Sequence, residues 1–289
     1  MSSATYTRRE ITHDGVTTTY VEAGNPAGGT VLLVHDGWYG ADAETLWSSV
    51  IERLAEDYHV LAPDMLGFGG TSKTVHFDRP MYAYRAQHLG SFVRAVLPNG
   101  TSVHGAGTSL GGSLLLRASV SSGAPIPLAS VLSISGSGGP WRSEFGAAEL
   151  GRFEGTAADI ERMLEHMAGE FPGRDEFVEA RMRNVAAPGH VESMMVGSIK
   201  PPAGLQRPPA PAPAAWPAAL AQVRVPTMVI GCDDDPLLEP GWEKNFEGIS
   251  RLVTVGTLPA RHAPSLDRPD EVSELICRHL VRSGAGVTQ

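Results

Sequence analysis

The stretch Ser102-Val103-His104-Gly105-Ala106-Gly107-Thr108-Ser109-Leu110-Gly111-Gly112 decides how the chain is read, because it places Ser109 in a G-x-S-x-G pattern between two regular elements. The short apolar run Ser102–Ala106 predicts a strand, and Leu110–Ser119 has the composition of a helix. A strand that turns into a helix within one or two residues needs small residues on both sides of the turn. Gly107 and Gly111 supply them, and Gly112 adds room for the helix to pack on the sheet. Ser109 is thereby set at a helix N-terminus, where unpaired backbone N–H groups favour developing negative charge. The same glycines also spell a dinucleotide-type loop, Gly105-x-Gly107-x-x-x-Gly111. That reading wants the first strand-to-helix turn and an acidic residue about 20 positions on. Several elements precede this one, and no acidic residue falls between Ser109 and Glu144.

Outward from the elbow the elements alternate. Tyr6–His13 and Val16–Val21 flank Asp14-Gly15 and predict an opening hairpin. Thr30–Val34 predicts a strand buried on both faces, followed by a helix over Ala43–Leu54, a strand His59–Ala62 and a helix Tyr82–Leu97. After the elbow come a strand Ser130–Ile134 and, beyond residue 222, a strand Thr227–Ile230, a helix near Trp242–Glu247, a strand Leu252–Val255 and a last helix Pro269–Val281. This alternation predicts an α/β fold with a mostly parallel central sheet flanked by helices. It stops between residues 137 and 222, where Ala157–Glu170 and Arg174–Val185 have helical composition. The expected organisation is a core of residues 1–136 and 223–289, interrupted by a mainly helical cap, 137–222. The cap ends in a Pro-rich return, Pro201 to Pro217, read as a surface linker or as a wall of the binding site.

The 289 residues carry 23 basic against 32 acidic side chains, a net charge of −9, which disfavours a nucleic-acid-binding surface. No apolar run approaches the roughly 18 residues of a membrane span, and Met1 to Gly15 lacks the apolar segment of a signal peptide. Two distant cysteines, Cys232 and Cys277, suggest neither a disulfide framework nor a zinc site, so a cytoplasmic location is expected. Neither a metal nor a cofactor is expected: the run Asp233-Asp234-Asp235 has no second acidic cluster or histidine pair to complete a metal shell. The expected partner is a small-molecule substrate, and a homo-oligomer stays open.

A serine hydroxyl is a weak nucleophile without a base and an orienting acid. Candidates follow the elbow in chain order. Val229-Ile230-Gly231-Cys232-Asp233-Asp234-Asp235-Pro236 sets acids just after a buried strand, and Leu258-Pro259-Ala260-Arg261-His262-Ala263-Pro264 sets a histidine after the last one. With Val31-Leu32-Leu33-Val34-His35-Asp36-Gly37 and Leu61-Ala62-Pro63-Asp64-Met65-Leu66-Gly67-Phe68-Gly69-Gly70, these segments make nearly the whole chain resemble the α/β-hydrolase fold superfamily, in particular meta-cleavage-product (C–C bond) hydrolases and related ester and lactone hydrolases.

The resemblance implies Ser109 as nucleophile, His262 as base, and the backbone N–H groups of Gly37 and Leu110 as the oxyanion hole. It leaves the acid between two anchors: Pro236 favours Asp235, whereas the count from Gly231 favours Asp234. Asp235 is taken, with Asp234 as the fallback. His35 and Asp64 match positions of structural use. An arginine on a cap helix holds the substrate carboxylate in the C–C hydrolases, and Arg181 falls at a similar place, with a solvated helix arginine as the plain alternative. Three positions depart from that branch: Thr108 stands for asparagine, Ala263 for tryptophan and Asp36 for glycine. Trp38 and Tyr39 add aromatic surface beside the oxyanion loop, so Trp38, Tyr39, Thr108 and Arg181 are the expected substrate contacts of an aromatic or polyketide-like molecule. The departures also keep open a non-hydrolytic use of the fold in secondary metabolism, by acyl transfer, cyclisation or C–C coupling.

Overall fold

The computed structural model describes residues 6–197, 199–206 and 216–284. Its frame is one eight-stranded sheet: β1 (Thr7–His13), β2 (Val16–Ala23), β3 (Thr30–Val34), β4 (His59–Pro63), β5 (Val103–Thr108), β6 (Leu128–Ile134), β7 (Thr227–Cys232) and β8 (Val253–Leu258). In space they run β1-β2-β4-β3-β5-β6-β7-β8. β1 pairs antiparallel with β2 and β2 with β4, and every later pair is parallel. The hairpin turns on Asp14 and Gly15, both at positive φ, as the Asp-Gly pair predicts.

Parallel strands need crossovers, and the chain supplies α1 (Ala43–Leu54), α2 (Met81–Val96) and α3 (Leu110–Ser119), while α9 (Pro269–Arg282) follows the last strand and packs beside α1. β3 shows why its run is apolar at every position. Val31 and Leu33 belong to the core shared with α1 and α9, whereas Leu32 and Val34 belong to the core shared with α2 and α3. The helix expected near Trp242 is instead a 3₁₀ turn, Trp242–Phe246.

Between β6 and β7 lie α4 (Glu144–Leu150), α5 (Ala157–Met167), α6 (Arg174–Val185) and α7 (His190–Met194). Thr156 and Asp159 cap the start of α5 reciprocally, and its apolar stripe Ile160, Met163, Leu164 and Met167 is buried. Of the Pro-rich return, Pro208, Pro209, Pro211 and Pro213 lie outside the described residues; where the chain is described again, Trp216 Nε1 donates to the Ser137 carbonyl at 2.8 Å.

Buried imidazoles give this fold an acid limit. Burial pushes His88 down to about 3, and His35 and His279 down to about 4. An unfolded histidine titrates near 6.5, so as pH falls from about 6.5 toward 4 the unfolded chain takes protons that these three refuse, and stability is lost. Asp64 acts in the opposite sense over part of that range, because burial raises it to about 6 and the folded chain takes its proton first. Three groups against one predict a net loss: the urea midpoint should fall between pH 7.5 and pH 5. A flat or rising midpoint would mean that these imidazoles are not buried neutral.

Candidate functional site

β5 ends at Thr108 and α3 begins at Leu110, leaving Ser109 alone in the turn with φ 55° and ψ −115°. A non-glycine residue in this region is strained, and the surroundings hold it there: its N–H donates to the Ile134 carbonyl at 2.9 Å and its carbonyl accepts from Ser113 N–H at 2.9 Å. The close approach explains the glycines. A Cβ on Gly111 would stand 2.2 Å from the Val34 carbonyl oxygen, and one on Gly37 would stand 2.2 Å from Leu110 Cδ2. The end of β3 and the start of α3 therefore touch, and Gly37 packs against the Leu110 side chain. Leu110, at the first helical position, has no carbonyl one turn back to receive its N–H.

The peptide that carries the Gly37 N–H is fixed from its other side. Met65 N–H donates to His35 Nε2 at 2.9 Å, so the ring proton is on Nδ1, which donates to the Asp36 carbonyl at 2.6 Å. In a planar trans peptide, pinning that carbonyl also sets the opposite direction of the Gly37 N–H. His35 is fully buried and neutral, in keeping with a structural part. Asp64 accepts from the backbone N–H groups of Ala43 and Gly70 and ties the neighbouring turn.

Past β7, Asp235 turns its carboxylate inward while Asp233 and Asp234 are exposed. Asp235 Oδ1 accepts from Leu237 N–H at 2.9 Å, and Oδ2 lies 2.7 Å from His262 Nδ1. The two loops are tied by backbone bonds from Asp233 to Leu258 and from Asp234 to Ala260. The loop of His262 is also gripped from the helical segment. Ala263 N–H donates to the Met167 carbonyl at 2.7 Å, and Arg261 Nη1 donates to the carbonyls of Glu165 and Ala168 at 2.8 Å each.

Ser109, His262, Gly37, Leu110 and Trp38 line one cavity of about 240 Å³. Its remaining wall is largely apolar, with Phe68, Met163 and Met167, Leu237 and Leu238, and carries Asp36, Tyr82, Arg85 and Arg142 as polar points. Three of the four expected substrate contacts lie elsewhere. The Tyr39 ring stacks on Phe153, with centroids 3.9 Å apart. Thr108 is fully buried at the end of β5. Arg181, also fully buried, holds Asp36 with Nη2 at 2.5 Å from Oδ2 and Nη1 at 3.3 Å from Oδ1, while its guanidinium lies over the Phe177 ring. Arg181, expected to contact substrate, is thus paired within the chain and lies outside the cavity lining. A buried guanidinium needs an anion, and Asp36 supplies it from within the chain. Burial alone would raise the Asp36 pKa, but Arg181 outweighs it and holds the carboxyl below its ordinary range. Sequence reasoning treated Asp36 and Arg181 separately, although their joint presence was a signal.

No group of three or more potential metal-ligating side chains gathers among the described residues, and no described helix is long and apolar enough to cross a membrane.

The model of the alpha/beta hydrolase family matches residues 31–275. The chain belongs to this family. A segment of 120 residues is 40 % identical to 2-hydroxy-6-oxo-6-(2'-aminophenyl)hexa-2,4-dienoic acid hydrolase of Metapseudomonas resinovorans, covering 41 % of this chain and 39 % of that one. A segment of 98 residues is 33 % identical to Lipase 1 of Psychrobacter immobilis, covering 33 % and 28 %. The matched segments thus span well under half of these relatives. Among solved structures, a serine hydrolase involved in carbazole degradation superposes with a TM-score of 0.77 at 24 % identity, over 96 % of this chain and 100 % of that one. The 2-hydroxy-6-oxo-6-phenylhexa-2,4-dienoate hydrolase of Rhodococcus sp. strain RHA1 gives 0.73 at 22 %, over 96 % and 99 %. At these identities the structural likeness speaks for the fold.

Proposed function

We propose that this alpha/beta hydrolase is a serine hydrolase acting on a carbonyl of a small molecule, an ester, a lactone or a ketone whose neighbouring C–C bond is cleaved. Ser109 attacks the carbonyl, and His262 takes its proton on Nε2 and returns it to the leaving group. Asp235 keeps the other ring proton on Nδ1, and the N–H groups of Gly37 and Leu110 meet the developing oxyanion. Water then resolves the acyl-enzyme, or acts directly under His262 in a C–C cleavage. The observation that carries the reading is the 2.7 Å contact between His262 and Asp235 behind a cavity that also exposes the strained Ser109. The walls suit a mainly apolar substrate, with Trp38 as its aromatic contact.

A fluorophosphonate probe tests this. Wild-type protein should become labelled on Ser109, and Ser109→Ala should not. An unlabelled wild type would sink the activated-serine reading. Labelling without turnover of any ester, lactone or vinylogous diketone would favour transfer or coupling on the same scaffold.

A further inference from the structure

We propose that Arg85 forms a carboxylate-binding subsite in the Ser109 cavity, so that the substrate carries, besides its reacting carbonyl, a carboxylate seated on this guanidinium. The inference rests on the hydrolase reading for what happens to the substrate, but not for the presence of the subsite.

Arg85 projects from α2, lines the cavity, and is only 2 % exposed. Yet no carboxylate lies within ion-pair distance of it among the described residues, whereas Arg181, the other buried arginine, has Asp36 at 2.5 Å. The ionisable groups that act on the Arg85 charge are Tyr84 and Tyr82. Its Nε donates to the Leu66 carbonyl at 3.2 Å, and its guanidinium carbon lies 5.2 Å from the Phe68 ring and 5.1 Å from the Tyr84 ring. A guanidinium does not discharge by losing a proton, so burying one without an anion is expensive, and ring faces offset only part of the cost.

The surroundings accentuate the imbalance. Tyr82, also on the cavity wall, is approached by the charges of Arg117, Arg142 and Arg85. Arg117 lies over the Tyr82 ring at 5.2 Å, and neither it nor Arg142 makes an ion pair among the described residues. In a chain of net charge −9, Arg85 and Arg142 thus line the cavity and Arg117 stands behind Tyr82, and none of the three has an ion pair among the described residues. Asp36, the cavity's own carboxylate, does not cancel them, because Arg181 already holds it. The planar fork of a guanidinium matches the two oxygens of a carboxylate, which selects this anion over a halide or a neutral carbonyl.

Two matched pairs of probes test the subsite. The first is mono-p-nitrophenyl glutarate against its uncharged isostere p-nitrophenyl 5-methylhexanoate, compared by kcat/KM. The second, independent of turnover, is 4-phenylbutyrate against 4-phenylbutanamide, compared by calorimetry. Wild type should prefer the anion at least tenfold in both, Arg85→Met should lose the preference while changing the neutral member less than threefold, and Arg85→Lys should keep part of it. Arg85→Met should also melt no lower than wild type, since it removes an uncompensated buried charge. If Arg85→Met does not fold, the wild-type ratios and Arg85→Lys still decide. Equal handling of both members by wild type, or no binding of 4-phenylbutyrate at millimolar concentration, overturns the subsite. Selective binding of 4-phenylbutyrate with neither ester turned over supports the subsite and defeats the hydrolase reading. Equal hydrolysis of both esters does the reverse.

Discussion

Replacing Asp235 with asparagine should lower kcat by on the order of 10⁴ while leaving the fold intact. The direction follows from which oxygen does what. Asp235 Oδ1 accepts from Leu237 N–H, so in Asp235→Asn the amide oxygen stays at that site and the NH₂ group takes the place of Oδ2. It then faces His262 Nδ1, 2.7 Å away, as a donor. Two donors cannot share that contact, so the imidazole moves its proton to Nε2, where the base has to accept one from Ser109. The ring is held in place but in the wrong tautomer. Asp234→Asn, at an exposed side chain, should change kcat by less than twofold. Steady-state kinetics on the two variants, with melting temperatures as the control, check the assignment. A large loss at Asp234 with little at Asp235 would reverse it.

The sheet was legible in the sequence because its signals are local. Thr30–Val34 and Leu110–Ser119 fall where the apolar run and the helix composition put them. The elbow, Asp235 and His262 each follow a strand of the parallel part of the sheet, β5, β7 and β8, and so emerge at the same sheet edge. What failed was the direction of side chains around the cavity. Tyr39 follows Trp38 directly, but only Trp38 faces the cavity, and nothing in one sequence tells adjacent loop residues apart. Arg85 was missed for the opposite reason. Within α2 it reads as an ordinary helical arginine, and its want of an acidic partner among the described residues is a property of the whole packed molecule. The short helices α4, α7 and α8 (Pro264–Asp267) carry too few residues to show a period. Asp36 and Arg181 are 145 positions apart, so their pairing needed the structure, even though the aspartate in place of a glycine marked one half of it.

Breaking that pair should have the largest effect on stability of any single substitution considered. In Arg181→Met the Asp36 carboxylate, about 1 % exposed, keeps the Trp38 N–H at 2.9 Å but loses its counter-ion while almost wholly buried. Removing one partner of a buried ion pair costs about 3–5 kcal/mol, because the remaining charge is stranded. The loss also loosens the grip of α6 on the loop after β3. Arg181 Nη1 reaches the Tyr39 carbonyl at 3.3 Å, and Asn184 Nδ2, one turn on, reaches the Gly40 carbonyl at 2.9 Å. Arg181→Lys should rescue only partly, since an ammonium cannot span both Asp36 oxygens as a planar fork does. Asp36→Asn combined with Arg181→Met removes both charges while keeping an acceptor for Trp38 N–H, so the double variant should recover more than half of the single loss. Urea unfolding across this double-mutant cycle gives the coupling directly. Additive losses would show that the two charges are not energetically joined, and a single variant as stable as wild type would place Arg181 in solvent, against its complete burial.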